Sequence, residues 1–176
     1  MIETKRLVLR EMTERDFDAL YKVLADAEIM RHYSYRFDEE RIRTWITNNM
    51  ERYRVFGFGL WAVCLKETGE MIGDCGLTMQ RIHNVIRPEI GYHIRGDQQR
   101  KGYAAEAAAA VRDWTFGNTP FGVVYSYMKQ ANLPSVKTAL SYGCKQVDAY
   151  TDEQGEAIVV CAMTREEWAN RVRFLP

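Results

Sequence analysis

Hydrophobic positions along the chain change period several times, and each change predicts an element. Leu7-Val8-Leu9-Arg10 is a short apolar run suited to a first strand. From Thr13 the spacing turns helical: Phe17, Leu20, Tyr21, Leu24 and Ala25 fall on one buried stripe, with Thr13 and Asp16 as a weak capping box. Asp38 is placed to cap a second helix that carries Ile42, Trp45, Ile46, Asn49 and Tyr53 on one side. After Gly57 and Gly59 the helical period stops. Leu60 to Leu65 and Met71 to Leu77 read as strands, joined by a hairpin turn at Thr68-Gly69. Pro88 is expected to open the next strand, Glu89 to Ile94, because a missing donor costs little at a first position.

A helix dominated by alanine follows. It runs from Gly102 to about Phe116, where Gly117 and Asn118 stop it. Val123 to Met128 is the next strand, and Asn132-Leu133-Pro134-Ser135 starts a helix that ends near Tyr142-Gly143. Gln146 to Tyr150 and Ala157 to Met163 form a final hairpin across Asp152-Glu153-Gln154-Gly155. Thr164-Arg165-Glu166-Glu167 is a capping box opening a last short helix with Trp168 and Val172. No repeat, low-complexity tract or linker interrupts the series, so residues 1–176 read as one α/β domain (α+β mixed) with a mixed sheet.

Composition removes several classes of function. Lys plus Arg and Asp plus Glu both number 24, so no global field draws the chain to nucleic acid or to a membrane. Any affinity for an anion has to be local. Hydrophobic residues are 47% of 176, enough for a sizeable core. Cys64, Cys75, Cys144 and Cys161 have apolar neighbours, no CxxC pair and no metal spacing to His32, His83 or His93. Buried free thiols and no metal are therefore expected. Met1 to Arg6 is charged and lacks a long apolar run, which speaks against a signal peptide or a membrane span. The expectation is a cytoplasmic protein, monomer or homodimer.

One stretch offers the local site. Arg95 to Val111 reads as a strand end, a short basic turn containing Gly102, and a helix of small residues. Glycine lets the backbone turn sharply and lets a ligand approach its amides. The helix start leaves N–H groups unpaired at the positive end of the dipole, which suits a phosphate or pyrophosphate. Arg100 and Lys101 add charge of the same sign. The other reading is an ordinary surface loop entering a packed helix. No GxxxxGK[ST] run is present, which speaks against a nucleotide kinase.

Gln99-Arg100-Lys101-Gly102-Tyr103-Ala104 matches the Q/R-x-x-G-x-G/A signature of the GNAT superfamily of N-acetyltransferases. Thr4-Lys5-Arg6-Leu7-Val8-Leu9-Arg10, Glu89-Ile90-Gly91-Tyr92, Asn132-x-x-Ser135 and Tyr142-Gly143-Cys144 stand around it in order, and the chain resembles the RimJ/RimL-type branch from residue 4 to about 163. The resemblance implies a V-splayed mixed, largely antiparallel sheet flanked by helices, with acetyl-CoA as co-substrate in the split. It implies that Gln99 opens the pyrophosphate loop and that the amides of Arg100, Lys101, Gly102, Tyr103, Ala104 and Ala105 cradle the pyrophosphate. The pantetheine arm would run along Tyr92, His93 and Ile94, with Asn132 and Ser135 facing it from the other side. The implied activity is acetyl transfer to a primary amine, either a protein N-terminal α-amine or a small-molecule amine. The alternative is a non-catalytic acyl-CoA-binding module or sensor.

An amine attacking a thioester needs a free lone pair, a stabilised oxyanion and a thiolate that can leave. Glu89 is the candidate base, since burial at a strand edge would bring its pKa to a useful value. Its plainer reading is a surface glutamate or an arginine's partner. His93 shares its face in a regular strand and is a further candidate. A strand N–H near Gly91 and Tyr92 would meet the oxyanion. The tyrosine that many superfamily members place four residues before the glycine of a terminal Gly-Phe motif is Ala139 here, and Cys144 replaces the phenylalanine. Ser135 is therefore the candidate for hydrogen-bonding the sulfur, unless it serves only the helix start. Glu106 reads as a helix-dipole partner. The acceptor would enter past Arg31, His32, Tyr33, Tyr35, Arg36 and Phe37 and the strand near Asp74 and Cys75. Satellite core packing explains that aromatic segment equally well.

Overall fold

The computed structural model describes residues 1–28, 30 and 37–173, with side chains described as far as Arg171. Among these residues, β1 (Ile2–Glu3), β2 (Leu7–Arg10), β3 (Leu60–Leu65), β4 (Met71–Ile82), β5 (Val85–Ile94), β6 (Val123–Lys129), β7 (Lys145–Thr151) and β8 (Ala157–Thr164) form one sheet. Its order is β1-β2-β3-β4-β5-β6-β8-β7. Every neighbouring pair is antiparallel except β5 and β6. The helices are α1 (Phe17–Leu24), α2 (Glu39–Phe56), α3 (Tyr103–Asn118), α4 (Leu133–Ser141) and α5 (Arg165–Arg173).

The parallel pair decides the architecture. β4 and β5 match residue for residue from Gly73 opposite Ile94 to Ile82 opposite Val85. β5 and β6 share a single register position among the described residues, Glu89 opposite Tyr125. Past it the ladder stops and the sheet splays, as the mixed V-shaped expectation required. The Ser126 hydroxyl bridges just inside the opening, donating to the Ile90 carbonyl at 2.6 Å.

Local chemistry explains the helices that frame this opening. The Asp38 carboxylate accepts from the Arg41 amide at 2.9 Å, and Gly57 ends α2 in the left-handed region at φ 74. The buried Asn49 amide fastens α2 to β3, accepting from the Leu60 N–H at 2.9 Å. Tyr53 bonds the Leu60 carbonyl beside it. In α3 the small side chains of Ala107 and Ala108 are fully buried, which lets the helix lie close on β4 and β5. The four cysteines are buried free thiols.

Several boundaries differ from the sequence reading. β5 begins at Val85, not at Glu89, because His83 and Asn84 both take positive φ (48 and 65) and close a two-residue hairpin. Pro88 lies inside the strand, on a stretch of β5 that β6 does not pair, where a missing donor is tolerated. β4 likewise continues to Ile82. Thr13 and Asp16 open a short 3-10 turn before α1, and Asp16 is also gripped by Arg10 at 2.6 Å. The stripe of α1 is Leu20, Val23 and Leu24, whereas Tyr21 is 40% exposed and packs sideways on Phe17. Trp168 packs against Phe116 and donates to Asp113, while the side chain of Val172 lies outside the described residues. Among the described residues no helix is long and apolar enough to cross a membrane.

Candidate active site

The β4–β5 register sets Thr78 opposite Glu89, Gly76 opposite Gly91, and Asp74 opposite His93. Alternation puts these positions on one face. The Thr78 hydroxyl donates to Glu89 Oε2 at 3.0 Å. The Glu89 carboxylate leans over Gly91: a Cβ there would stand 3.1 and 3.2 Å from its two oxygens. Burial pushes the Glu89 carboxyl up to about 7, while the Thr78 hydrogen bond and His93 pull it back. The result is a carboxyl poised to exchange a proton near neutrality.

His93 Nδ1 lies 2.7 Å from Asp74 Oδ1, and the other Asp74 oxygen accepts from the Trp45 indole at 2.9 Å. Asp74 is fully buried. Burial opposes a charge on the His93 ring, but Asp74 and then Glu89 outweigh it and raise its pKa. The rings of His93 and Trp45 meet edge-on at 5.8 Å, and Phe37 meets Trp45 the same way at 5.4 Å. The His93 side chain thus belongs with Glu89 on the α2 face. Phe37 is buried; Arg31, His32, Tyr33, Tyr35 and Arg36 lie outside the described residues.

Across the split the other face contributes hydroxyls. The Tyr92 hydroxyl reaches the first turn of α4 and donates to the Ser135 carbonyl at 2.9 Å. Asn132 Oδ1 accepts from the Ser135 amide at 3.3 Å and caps the helix. Tyr92, Asn132 and Ser135 are therefore gathered at one place, from two different walls. Ser126 lies 2.7 Å from the Tyr142 hydroxyl, which burial keeps firmly protonated. Ala139 is buried and offers no hydroxyl.

At the far end, Gln99 Nε2 donates to the Ile94 carbonyl at 2.9 Å and turns the chain out of β5. Arg100 (φ 61) and Gly102 (φ 82) both take the left-handed conformation. Gly102 caps α3 without any side-chain bond, and the first helical bond runs from the Glu106 N–H to its carbonyl. The helix thus supplies no partner for the amides of Tyr103, Ala104 and Ala105. Arg6 holds this turn: its guanidinium donates to the Lys101 carbonyl at 2.8 Å and lies 4.5 Å over the Tyr103 ring. Glu106 is more than a dipole partner. It accepts from the Thr4 hydroxyl, the Arg6 amide and Arg6 Nε at 2.6, 2.8 and 2.6 Å, clamping the N-terminal segment to α3.

Fold and clusters together define a split-sheet protein with a helix start at one end of the split and an acid–base cluster on its α2 face. The chain matches the family model for the acetyltransferase (GNAT) domain over residues 6–145, and it belongs to that family. It is 35% identical over 141 residues to the uncharacterized protein YkkB of Bacillus subtilis (strain 168), covering 80% of this chain and 82% of that one. The crystal structure of a GNAT-family acetyltransferase from Bacillus anthracis superposes with a TM-score of 0.82 at 22% identity, over 94% of this chain and 99% of that one. Spermidine N-acetyltransferase from Vibrio cholerae, solved with CoA and spermine, gives 0.77 at 15% identity over 95% and 100%.

Thr78 and Ser126 are not singled out by the sequence, and Trp45, Arg6 and Tyr142 appear there only on a helix face or within a family motif, because their roles depend on register and helix docking. Asp74 carried a signal, an acid inside the apolar run Met71 to Leu77.

Proposed function

We propose that the chain is an acetyl-CoA-dependent N-acetyltransferase that acetylates a primary amine by direct attack in a ternary complex. The position of Glu89 carries this reading: it stands where β5 and β6 part, with its carboxyl held up to about 7. Acetyl-CoA supplies an activated thioester. The amides of Arg100 to Ala105 hold its pyrophosphate, Gln99 shapes their loop, and Tyr92, His93 and Ile94 offer strand backbone to the pantetheine arm. Asn132 and Ser135 face it from α4. Glu89 takes a proton from the incoming ammonium, the strand N–H groups near Gly91 and Tyr92 meet the oxyanion, and the Ser135 hydroxyl stabilises the leaving sulfur.

Proton matching favours one acceptor class. A base near 7 takes a proton from an α-amino group of pKa about 8 at a cost of roughly 1.4 kcal/mol, against roughly 4.6 kcal/mol for an alkyl amine near 10.4. The RimJ/RimL-type motifs point the same way, toward a protein or peptide N-terminal α-amine. Thiol release from acetyl-CoA, screened against peptides, polyamines, amino acids and aminoglycosides with product masses recorded, tests this. Release with free-α-amine peptides is expected. CoA protection against unfolding without release for any amine would instead indicate an acyl-CoA-binding module or sensor.

A further inference from the structure

Buried ion pairs are costly to assemble, and this one lies in a particular place. Asp74 and His93 face each other across β4 and β5 on the face that carries Glu89, four residues back along the strand. Same-face neighbours on a strand are about 6.6 Å apart, so Gly91 alone stands between Glu89 and His93, and the Glu89 carboxylate leans over it into the space its missing side chain leaves. The Trp45 indole occupies the second Asp74 oxygen, so the carboxylate is held from both sides. Among the described residues, the charged groups around His93 are Asp74 from β4 and Glu89 from its own strand. From α2 come the neutral Trp45 indole and, acting on Glu89, Arg52.

We propose that Asp74, His93 and Trp45 form a positioning device that keeps an imidazolium beside Glu89 and thereby sets how readily Glu89 yields its proton. Asp74 stabilises the charge on His93; that charge favours the ionised form of Glu89; Trp45 fixes Asp74. The inference rests on the acetyltransferase reading for its purpose but not for its physics. A simple structural tie would also join β4, β5 and α2, yet it would leave Glu89 indifferent to the state of His93.

Carbon-13 and nitrogen-15 NMR titration of the ligand-free protein separates the two. His93→Gln is expected to raise the Glu89 midpoint by about one pH unit, the scale of one nearby charge. Asp74→Asn is expected to drop the His93 midpoint by about a unit or more, since burial then acts on the ring without its counter-charge. In that background His93→Gln should move Glu89 no further. Once an acceptor is found, the acid limb of kcat/KM should move with the Glu89 midpoint in each variant. A Glu89 midpoint unmoved by His93→Gln, or moved equally in both backgrounds, overturns the proposal. If His93→Gln does not fold, the parent protein decides alone: a Glu89 titration curve with no inflection at the His93 midpoint overturns it. These titrations need no turnover, so an inactive protein and an uncoupled Glu89 are distinct results.

Discussion

Glu89 stands opposite Tyr125 at the one register position that joins β5 to β6 among the described residues. The candidate base therefore occupies the apex of the splayed sheet, with the α2 face on one side and the split beyond it. Arg87, two residues earlier, lies 4.6 Å over the Tyr125 ring at the same junction.

Burying Glu89 should make the protein less stable in base. Its folded pKa of about 7 lies above the ordinary 4.5, so the native form keeps a proton that the unfolded chain releases between those values. Stability is then lost as pH rises through that window, on the order of 3 kcal/mol in all. Glu89→Gln can keep the Thr78 hydrogen bond without the charge. Urea unfolding should show the variant more stable at pH 8 by roughly 2–3 kcal/mol and nearly equal at pH 4. Its turnover should fall about tenfold or more with CoA affinity intact.

Gly102→Val should abolish CoA binding while leaving a folded protein. The residue sits at φ 82, where a branched side chain is strained by about 1–2 kcal/mol. The Cβ itself meets only the end of the Arg6 side chain, at 3.3 Å. Calorimetric titration with CoA should detect no binding; unimpaired affinity would remove the pyrophosphate from this turn.

Removing the Glu106 charge should be felt at both the N-terminus and the turn. Glu106→Gln weakens the bonds to Thr4 and Arg6, and Arg6 in turn holds the Lys101 carbonyl. Because the Arg6 side chain is 42% exposed, a modest loss of about 1 kcal/mol is expected, smaller at high salt. CoA affinity should drop severalfold in the same variant.

Tyr92→Phe removes the bond from β5 to the Ser135 carbonyl across the split. A stability loss of about 1 kcal/mol is expected. Ser135→Ala keeps that carbonyl and deletes only the hydroxyl, so it should lower kcat with KM nearly unchanged. Equal kcat in Ser135→Ala and the parent protein would take the hydroxyl out of thiolate release.

The chain spelled out much of this fold because its elements are locally consistent. Asp38 and Gly57 bracket α2, Thr164 and Glu167 open α5, and Gly102 precedes an alanine run. The hairpin at His83-Asn84 was missed because neither residue is glycine, although both take positive φ. Glu89 could be picked from a strand pattern and a family motif, but its burial and its Thr78 bond follow from pairing with a strand that a single segment does not reveal. The grip of Trp45 on Asp74 spans 29 positions and belongs to helix docking, which no local pattern encodes.

Ser126 ties the Ile90 carbonyl to the Tyr142 hydroxyl by way of its own oxygen, riveting both arms of the sheet just inside the fork. On the proposed reading the slot is standing architecture: no ladder would have to unzip to admit a coenzyme, and none to re-form when it departs. Association should resemble the docking of preshaped surfaces, its heat dominated by water leaving the walls and its on-rate rising in simple proportion to concentration.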